Sequence, residues 1–278
     1  MTPTPTLYRC PVCEHTLHDD GKRLACENNH SFDKHKKGYI NLLLAHHKNS
    51  LSPGDNIEMV NGRREFLRAG YYQPFANAIT QLLADHLLNQ PLTIVDAGCG
   101  EGYYTEQLQA EFSNAQVYGF DISKPAIHSA STNKTVHWSV ASSHRPPMLN
   151  SSADVITSIF SPIECDAFHT LLKPGGYILY AAPNHNHLKN LRKIIYDEVR
   201  DYSTEKHQHY FDHRFKKIEQ RSLQIPIELP NHETIIQLLN MTPHAHRISA
   251  AGHQRLSNTK TLHDIGDFVL YFYQKITD

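Results

Sequence analysis

The stretch Leu92-Thr93-Ile94-Val95-Asp96-Ala97-Gly98-Cys99-Gly100-Glu101-Gly102-Tyr103-Tyr104 decides the fold of this chain. Leu92 to Asp96 reads as a short apolar strand, the alternating glycines as a tight turn, and Tyr104 to Phe112 as a helix. Glycine admits left-handed backbone and lets a ligand approach the main chain closely. A nicotinamide-dependent enzyme would also use such a corner. The acid-first form, Asp-x-Gly-x-Gly-x-Gly, favours a different ligand. A sulfonium cofactor has no pyrophosphate, and an acidic lip suits its positive charge and amino group. The pattern therefore points to S-adenosylmethionine.

Downstream segments repeat the strand–helix alternation. Gln116–Asp121 is a second strand; Asp121 closes it where a carboxylate can accept both ribose hydroxyls, with Ile122 beside it. Ala141 and Ser142 follow a third strand, Val136–Val140, at the adenine end of such a site. Phe160-Ser161-Pro162 ends a fourth, Ala153–Phe160, at the lip where a target base would enter and where Phe160 could stack on it. The turn Lys173-Pro174-Gly175-Gly176 precedes a fifth, Tyr177–Ala182. Helices are expected near Pro125–Ser131 and Asp166–Leu172. This order implies an α/β fold with a parallel sheet covered on both faces, the class I, Rossmann-like arrangement of S-adenosylmethionine-dependent methyltransferases. Helices at Ile57–Ala69 and Pro74–Leu88 precede it. A mostly helical stretch from His187 to Ile218 and a strand at Asp267–Tyr273 follow.

The N-terminal segment carries different chemistry. Cys10, Cys13, Cys26 and His30 fall in the spacing Cys-x2-Cys-x12-Cys-x3-His. Thiolate and imidazole ligands suit tetrahedral Zn2+, and four of them close its shell, so the site is structural. So short a segment cannot build an adequate core alone, and metal binding would supply its folding energy. The expected organisation is a zinc-binding domain over residues 1–45, a linker and helix over 46–72, and the methyltransferase domain over 73–278.

Composition limits the alternatives. The chain has 278 residues, net charge −1 and five cysteines, of which Cys99 and Cys165 lie outside the cluster. That usage fits metal ligation and free thiols in a reducing compartment. Mean hydropathy is −0.50 and no long apolar run occurs, so no membrane partner is expected. The first residues carry neither a basic nor an apolar leader, and a cytoplasmic location is expected. Near-neutral charge argues against a strong polyanion binder, but Lys34 to Arg68 holds seven lysines and arginines against three carboxylates. Lys34, Lys36, Lys37, Arg63 and Arg64 are the candidate phosphate contacts.

Both modules together resemble the 23S ribosomal RNA (guanine-N1)-methyltransferase family, from Cys10 to about Thr242. The most specific pieces are Lys37-Gly38-Tyr39-Ile40-Asn41-Leu42-Leu43, Pro53-Gly54-Asp55, Arg63-Arg64-Glu65-Phe66-Leu67, Gly70-Tyr71-Tyr72-Gln73-Pro74 and Ala141-Ser142-Ser143-His144-Arg145. The resemblance implies a zinc ribbon fused to a class I methyltransferase, often a homodimer, acting on a guanine in a domain II hairpin of 23S rRNA. It implies Cys10, Cys13, Cys26 and His30 as zinc ligands. Tyr72, Glu101, Gly102, His187 and Leu188 match the family's cofactor contacts; Asp96, Gly98 and Gly100 are cofactor candidates from the reading of the turn itself. Residues 243–266 depart from the family's pattern.

Guanine N1 is protonated at neutral pH, so a base must remove its proton or the purine must tautomerise, and the purine must leave its helix to be reached. Glu164, Asp166, His144 and His185 are the candidate bases, none of them singled out as catalytic. Two other readings stay open: a methyltransferase for a small molecule or protein, and a zinc-ribbon RNA-binding protein without activity.

Overall fold

The computed structural model describes residues 3–48, 50, 52–87, 90–199 and 210–277. Four short strands, β1 (Thr4–Arg9), β2 (Thr16–Asp19), β3 (Arg23–Ala25) and β4 (Ser31–Asp33), form an antiparallel N-terminal sheet in the order β1-β2-β3-β4. The next strand, β5 (Ile40–Asn41), leaves this unit and joins the main sheet.

The main sheet has the order β11-β12-β10-β9-β6-β7-β8-β5. Its parallel part comprises β6 (Thr93–Ala97), β7 (Gln116–Asp121), β8 (His137–Val140), β9 (Ala153–Ile159) and β10 (Leu172–Pro183). β6 is buried along its whole length, as an apolar strand covered on both faces must be. The chain winds outward from β6 through β7 to β8, then returns to β9 on β6's other side. The crevice at that reversal is where an open α/β sheet binds ligands, and the glycine turn stands there. β11 (Phe215–Leu229) and β12 (Leu262–Lys275) close the far edge as antiparallel strands.

Helices α1 (Ile57–Arg68) and α2 (Gln73–Leu87) precede the sheet. α3 (Tyr103–Glu111), α4 (Lys124–Ala130), α5 (Cys165–Leu171) and α6 (Lys189–Ile195) connect or follow its strands, and α7 (His232–Asn240) and α8 (Ala250–Asn258) lie between β11 and β12. Asn56, Ser123, Asn231 and Ser249 cap α1, α4, α7 and α8 through their side chains. Among the described residues, no helix is long and apolar enough to cross a membrane.

The zinc-ribbon segment is welded to the sheet on two sides. β5 pairs in parallel with β8, and the Leu42 amide donates to Val140 O (2.9 Å). β1 meets the loop after β8: Arg9 N donates to Pro147 O (2.8 Å) and Leu149 N to Leu7 O (2.9 Å). Tyr8, Leu17, Leu24 and Ile40 share one buried apolar cluster with Val95, Phe120 and Ile156 of the sheet. Much of the burial that a short segment cannot find internally is thus found against the larger domain.

Two expectations change. The stretch from His187 to Ile218 is not a continuous helix: α6 ends at Ile195, and β11 begins at Phe215; residues 200–209 of it lie outside the described residues. Lys173 to Gly176 is taken into β10, where the register against β9 shifts between Leu172 and Tyr177 and Gly175 adopts φ 73°. That is the geometry of a bulge rather than a free turn. The departing tail, residues 243–266, supplies α8 and the start of β12.

α8 packs so closely on α6 that a Cβ at Gly252 would lie 2.2 Å from Ile195 O. Gly252→Ala must push two backbones apart, and overpacking of this kind costs about 1–3 kcal/mol. We expect a lower midpoint in urea with an unchanged slope; wild-type stability in that variant would contradict the packing.

Candidate active site and metal centre

Cys10 and Cys13 stand in the turn after β1, Cys26 follows β3, and His30 precedes β4. Their ligand atoms all lie within 4.8 Å of one another. Cys13 Sγ is 3.6 Å from Cys26 Sγ, and His30 Nδ1 is 3.6, 3.3 and 3.4 Å from the sulfurs of Cys10, Cys13 and Cys26. Ligands at about 2.0–2.3 Å from a tetrahedral ion stand roughly 3.5–3.8 Å apart, so these distances fit the edges of a zinc tetrahedron. The donor set is complete, and the group is structural.

The glycine turn has its own foundation. Asp96 is buried, and its two oxygens accept from Thr105 Oγ1 (2.6 Å) and Thr157 Oγ1 (2.8 Å). It therefore lies beneath the turn rather than at its lip, because neighbouring hydroxyls on α3 and β9 use both oxygens. Burial pushes its carboxyl up to about 6 against the lowering effect of the two hydroxyls. Gly98, Gly100 and Gly102 all have positive φ. A Cβ on Gly98 would meet Ser161 Oγ at 2.0 Å and one on Gly102 would meet Trp138 at 2.7 Å, whereas Gly100 has nothing nearer than Arg63 Cδ at 3.9 Å. The turn is packed on two sides and open at Gly100.

Asp121 ends β7 beside that opening. Its Oδ2 accepts from the Gly100 amide (3.0 Å) and its Oδ1 from the Ser123 amide (2.7 Å), so each oxygen keeps a lone pair for a ribose hydroxyl. Ile122 and Ser142 line a cleft of about 770 Å3, with Arg9, Cys10 and Glu14 of the ribbon on its other wall. Ala141 is buried behind it, its amide donating to Asp121 O (3.0 Å).

On the other side of the turn lies a cavity of about 490 Å3, lined by Asp55, Arg63, Tyr72, Phe160, His187 and Met241 among others. Tyr72 and His187 are buried. The His187 ring lies 6.5 Å from Tyr72, 6.4 Å from Phe160 and 4.9 Å from Phe268, centre to centre. Burial pulls His187 down to about 3, so its imidazole is neutral at pH 7 and does not repel a cation. Such an aromatic wall suits a sulfonium. Phe160 holds a left-handed φ of 56°, strain of the kind that functional sites retain. Leu188, at φ 51°, is fully buried at the start of α6 and presents no surface to the cavity.

Glu101 gives the test of fit. Its carboxylate is 1% exposed, both oxygens lack a hydrogen-bond donor, and Arg64 and Arg68 stand 3.7 and 3.9 Å away. Burial raises its pKa against those two arginines. A buried carboxylate short of donors is costly, and an ammonium group from a ligand would relieve it. Acidic oxygens at Glu101 and Asp121, the open Gly100 and the aromatic wall together fit S-adenosylmethionine.

Other expected residues fall elsewhere. Arg63 is not a surface phosphate contact: it donates to Asp55 Oδ2 (2.8 Å) and Met241 O (3.2 Å) and faces the cavity. Arg64 donates to Ser129 Oγ (3.0 Å), Lys37 to His128 O (3.1 Å), and Lys34 to Asp19. Lys36 is exposed. Among the candidate bases, Asp166 pairs with Arg214 (2.6 Å), Glu164 faces His144 (3.3 Å) on the ribbon-side cleft, and His185 is exposed. None of the four lines the aromatic cavity. The carboxylate that does is Asp55, whose sequence signal was the Pro53-Gly54-Asp55 tract.

Comparisons with known proteins match the two sites separately. A family model described as RlmA, N-terminal, a zinc ribbon, matches residues 8–51, and a methyltransferase domain model matches residues 94–176. A solved "putative methyltransferase" from Bacillus halodurans C-125 superposes with a TM-score of 0.51 at 14% identity, covering 72% of this chain and 98% of that one. The molecule is thus a class I methyltransferase carrying an N-terminal zinc ribbon. "Putative 23S rRNA (guanine-N(1)-)-methyltransferase YxjB" of Bacillus subtilis is 32% identical over 69% of this chain and 70% of its own length. The 23S rRNA (guanine(748)-N(1))-methyltransferase of Streptomyces fradiae is 28% identical over 84% of each chain. The chain belongs to this 23S rRNA (guanine-N1)-methyltransferase family. A malonyl-[acyl-carrier protein] O-methyltransferase from Coxiella burnetii is 30% identical, over only 43% of this chain and 46% of its own.

Removing the Asp121 carboxylate should weaken S-adenosylmethionine binding by roughly ten- to a hundredfold, since hydrogen bonds to charged groups contribute about 1.5–3 kcal/mol. Calorimetric titration of Asp121→Ala measures this; unchanged affinity would remove Asp121 from the site. Asp96 gives a pH signature. Its folded pKa of about 6 lies above the ordinary value of 3.8, so ionisation opposes folding above pH 6, and the penalty fades as pH falls through that range. The stability of Asp96→Asn relative to wild type should therefore be greater at pH 7 than at pH 5 in paired urea titrations. The opposite trend would contradict the burial of that charge.

Proposed function

We propose that this protein, in the cytoplasm, transfers the methyl group of S-adenosylmethionine to N1 of a guanine in a domain II hairpin of 23S rRNA. The observation that carries the reading is the weld between ribbon and sheet. β5 and β1 fix the ribbon against the end of the sheet where the cofactor turn opens, with the 770 Å3 cleft between them. An RNA hairpin lying across both units would present one base to the cavity of about 490 Å3 beyond Phe160, a volume within the usual range for a ligand pocket. Arg9 and Arg145 on the cleft and exposed Lys36 on the ribbon are cations that could meet its backbone. Zinc-ligating thiols fit a reducing compartment.

The chain's work is positional. Methyl transfer from a sulfonium releases a neutral thioether, so alignment supplies most of the rate. Asp121 and Glu101 hold the cofactor's polar ends, His187 stays neutral beside it, and Phe160 stacks on the extruded purine. The malonyl-carrier relative matches only 43% of this chain, so it does not guide the choice of acceptor.

The reading is tested with 23S rRNA lacking the modification. After incubation with the protein and S-adenosylmethionine, reverse transcription across the domain II hairpin should halt one nucleotide before a guanine, because an N1 methyl blocks pairing. The halt should require the cofactor. Full read-through by a preparation that still binds the cofactor would overturn the assignment.

A further inference from the structure

The reaction needs an acceptor for the N1 proton, and the aromatic cavity contains one carboxylate among its lining residues, Asp55. Resting on the function proposed above, we infer that Asp55 removes the N1 proton of the target guanine and that Arg63 holds the neighbouring O6.

The two side chains are built into place. Gly54 has φ 81°, and a Cβ there would come within 2.9 Å of Ile122 Cγ2 and Ser123 Cβ, so only glycine lets this strand of chain lie so close to the end of β7. Ser123 Oγ then donates to Asp55 O (2.6 Å), and Asn56 caps α1 one residue on. Asp55 is thereby fixed between the cofactor-binding end of β7 and the first turn of α1. About two helical turns on, Arg63 returns to it, Nη2 to Oδ2 at 2.8 Å, and the same Nη2 reaches Met241 O at 3.2 Å. Two segments far apart in sequence thus lock one ion pair at the cavity wall.

The pair matches the edge of guanine that is methylated. Guanine offers N1–H and the 2-amino group as donors and O6 as an acceptor. Asp55 Oδ2 is used by Arg63, while Oδ1 carries no other hydrogen bond among the described residues. Arg63 Nε is buried with no acceptor, an unmatched donor beside an unmatched acceptor. Adenine, whose N1 bears no proton and whose 6-position is a donor, would leave both groups opposed. The step balances. The N1–H bond breaks with its proton passing to Asp55, the N1 electron pair forms the bond to the methyl carbon, and the carbon–sulfur pair returns to sulfur. Water then takes the proton from Asp55. As N1 loses its proton, negative charge spreads to O6, so the Arg63 contact strengthens toward the transition state.

The test is single-turnover methylation of unmodified 23S rRNA by the full-length protein at saturating S-adenosylmethionine, from pH 6 to pH 9. Asp55→Asn should slow the step by about 10²- to 10⁴-fold at neutral pH, the usual contribution of a positioned base. Its affinities for S-adenosylmethionine and RNA should stay within about threefold, and its rate should climb with pH as solvent takes over deprotonation. Formate should restore part of the rate to Asp55→Ala, a rescue that a purely structural residue would not show. Asp55→Ser, read the same way, serves if Asp55→Asn unfolds. A rate for Asp55→Asn within threefold of wild type, or a loss explained by weaker cofactor binding, would overturn the assignment. Wild type leaving every guanine N1 unmethylated would instead remove the function on which it rests, and the assignment with it.

Discussion

One buried carboxylate holds the centre of this molecule. Asp96 joins three elements, taking hydroxyls from Thr105 on α3 and Thr157 on β9 while sitting at the end of β6. Those contacts fix the angle between the two central strands and the helix that leaves them, which sets where Gly98, Gly100 and Gly102 can go. Burying the charge is costly, and two short hydroxyl bonds offset only part of that cost, as the raised carboxyl pKa records. Accuracy is the return. A cofactor aligned for in-line transfer must be held to fractions of an ångström, and a turn anchored from beneath leaves its upper face free for the ligand.

The same economy of position explains the ribbon. A chain with net charge −1 is poorly suited to grip a polyanion over a broad surface. Here many of the basic residues are committed internally: Arg63 to Asp55, Arg64 beside Glu101, Lys34 to Asp19. Recognition must then come more from shape than from summed charge. Fusing the ribbon's core to the sheet's, with β5 as an eighth strand, joins the two units through one apolar cluster with a cleft at their junction. Zinc contributes by holding the end of the ribbon that walls that cleft, since Cys10 is both a ligand and a cleft residue.

The parts of the fold legible in the sequence were those that repeat or stand together. Buried parallel strands are apolar runs, and the glycine turn and the Cys/His spacing are local. The start of β11, Phe215–Ile218, fell within the stretch read as mostly helical because it is an edge strand whose exposed residues are largely polar. In Phe215-Lys216-Lys217-Ile218 only Phe215 is buried, so no alternation marks the strand until β12 is placed beside it. Asp96 was misplaced for a different reason. Its acidity was visible, but the threonines that turn it inward are nine and sixty-one residues away. Asp55 and Arg63 show the limit most clearly. Asp55 looks like an ordinary charge before a helix and Arg63 like one on its face, and only the fold brings them to Met241 and one cavity wall.

That limit follows from how this fold divides its labour. The fold is shared with a protein of 14% identity over 72% of this chain, and a carrier-protein methyltransferase matches 43% of it by sequence. Nothing in β6, β7 or the glycine turn can therefore specify the acceptor. The cavity proposed for the acceptor draws on segments outside the parallel strands: Asp55 and Arg63 before the sheet, His187 after β10, Met241 after α7. Each arrives by a different connection, and each is held by a contact to another of these segments rather than to the core sheet alone. A segment so placed can change its chemistry without disturbing the strands that bind the cofactor. The choice of acceptor is then set by which donors and acceptors these added segments bring to one wall of one cavity.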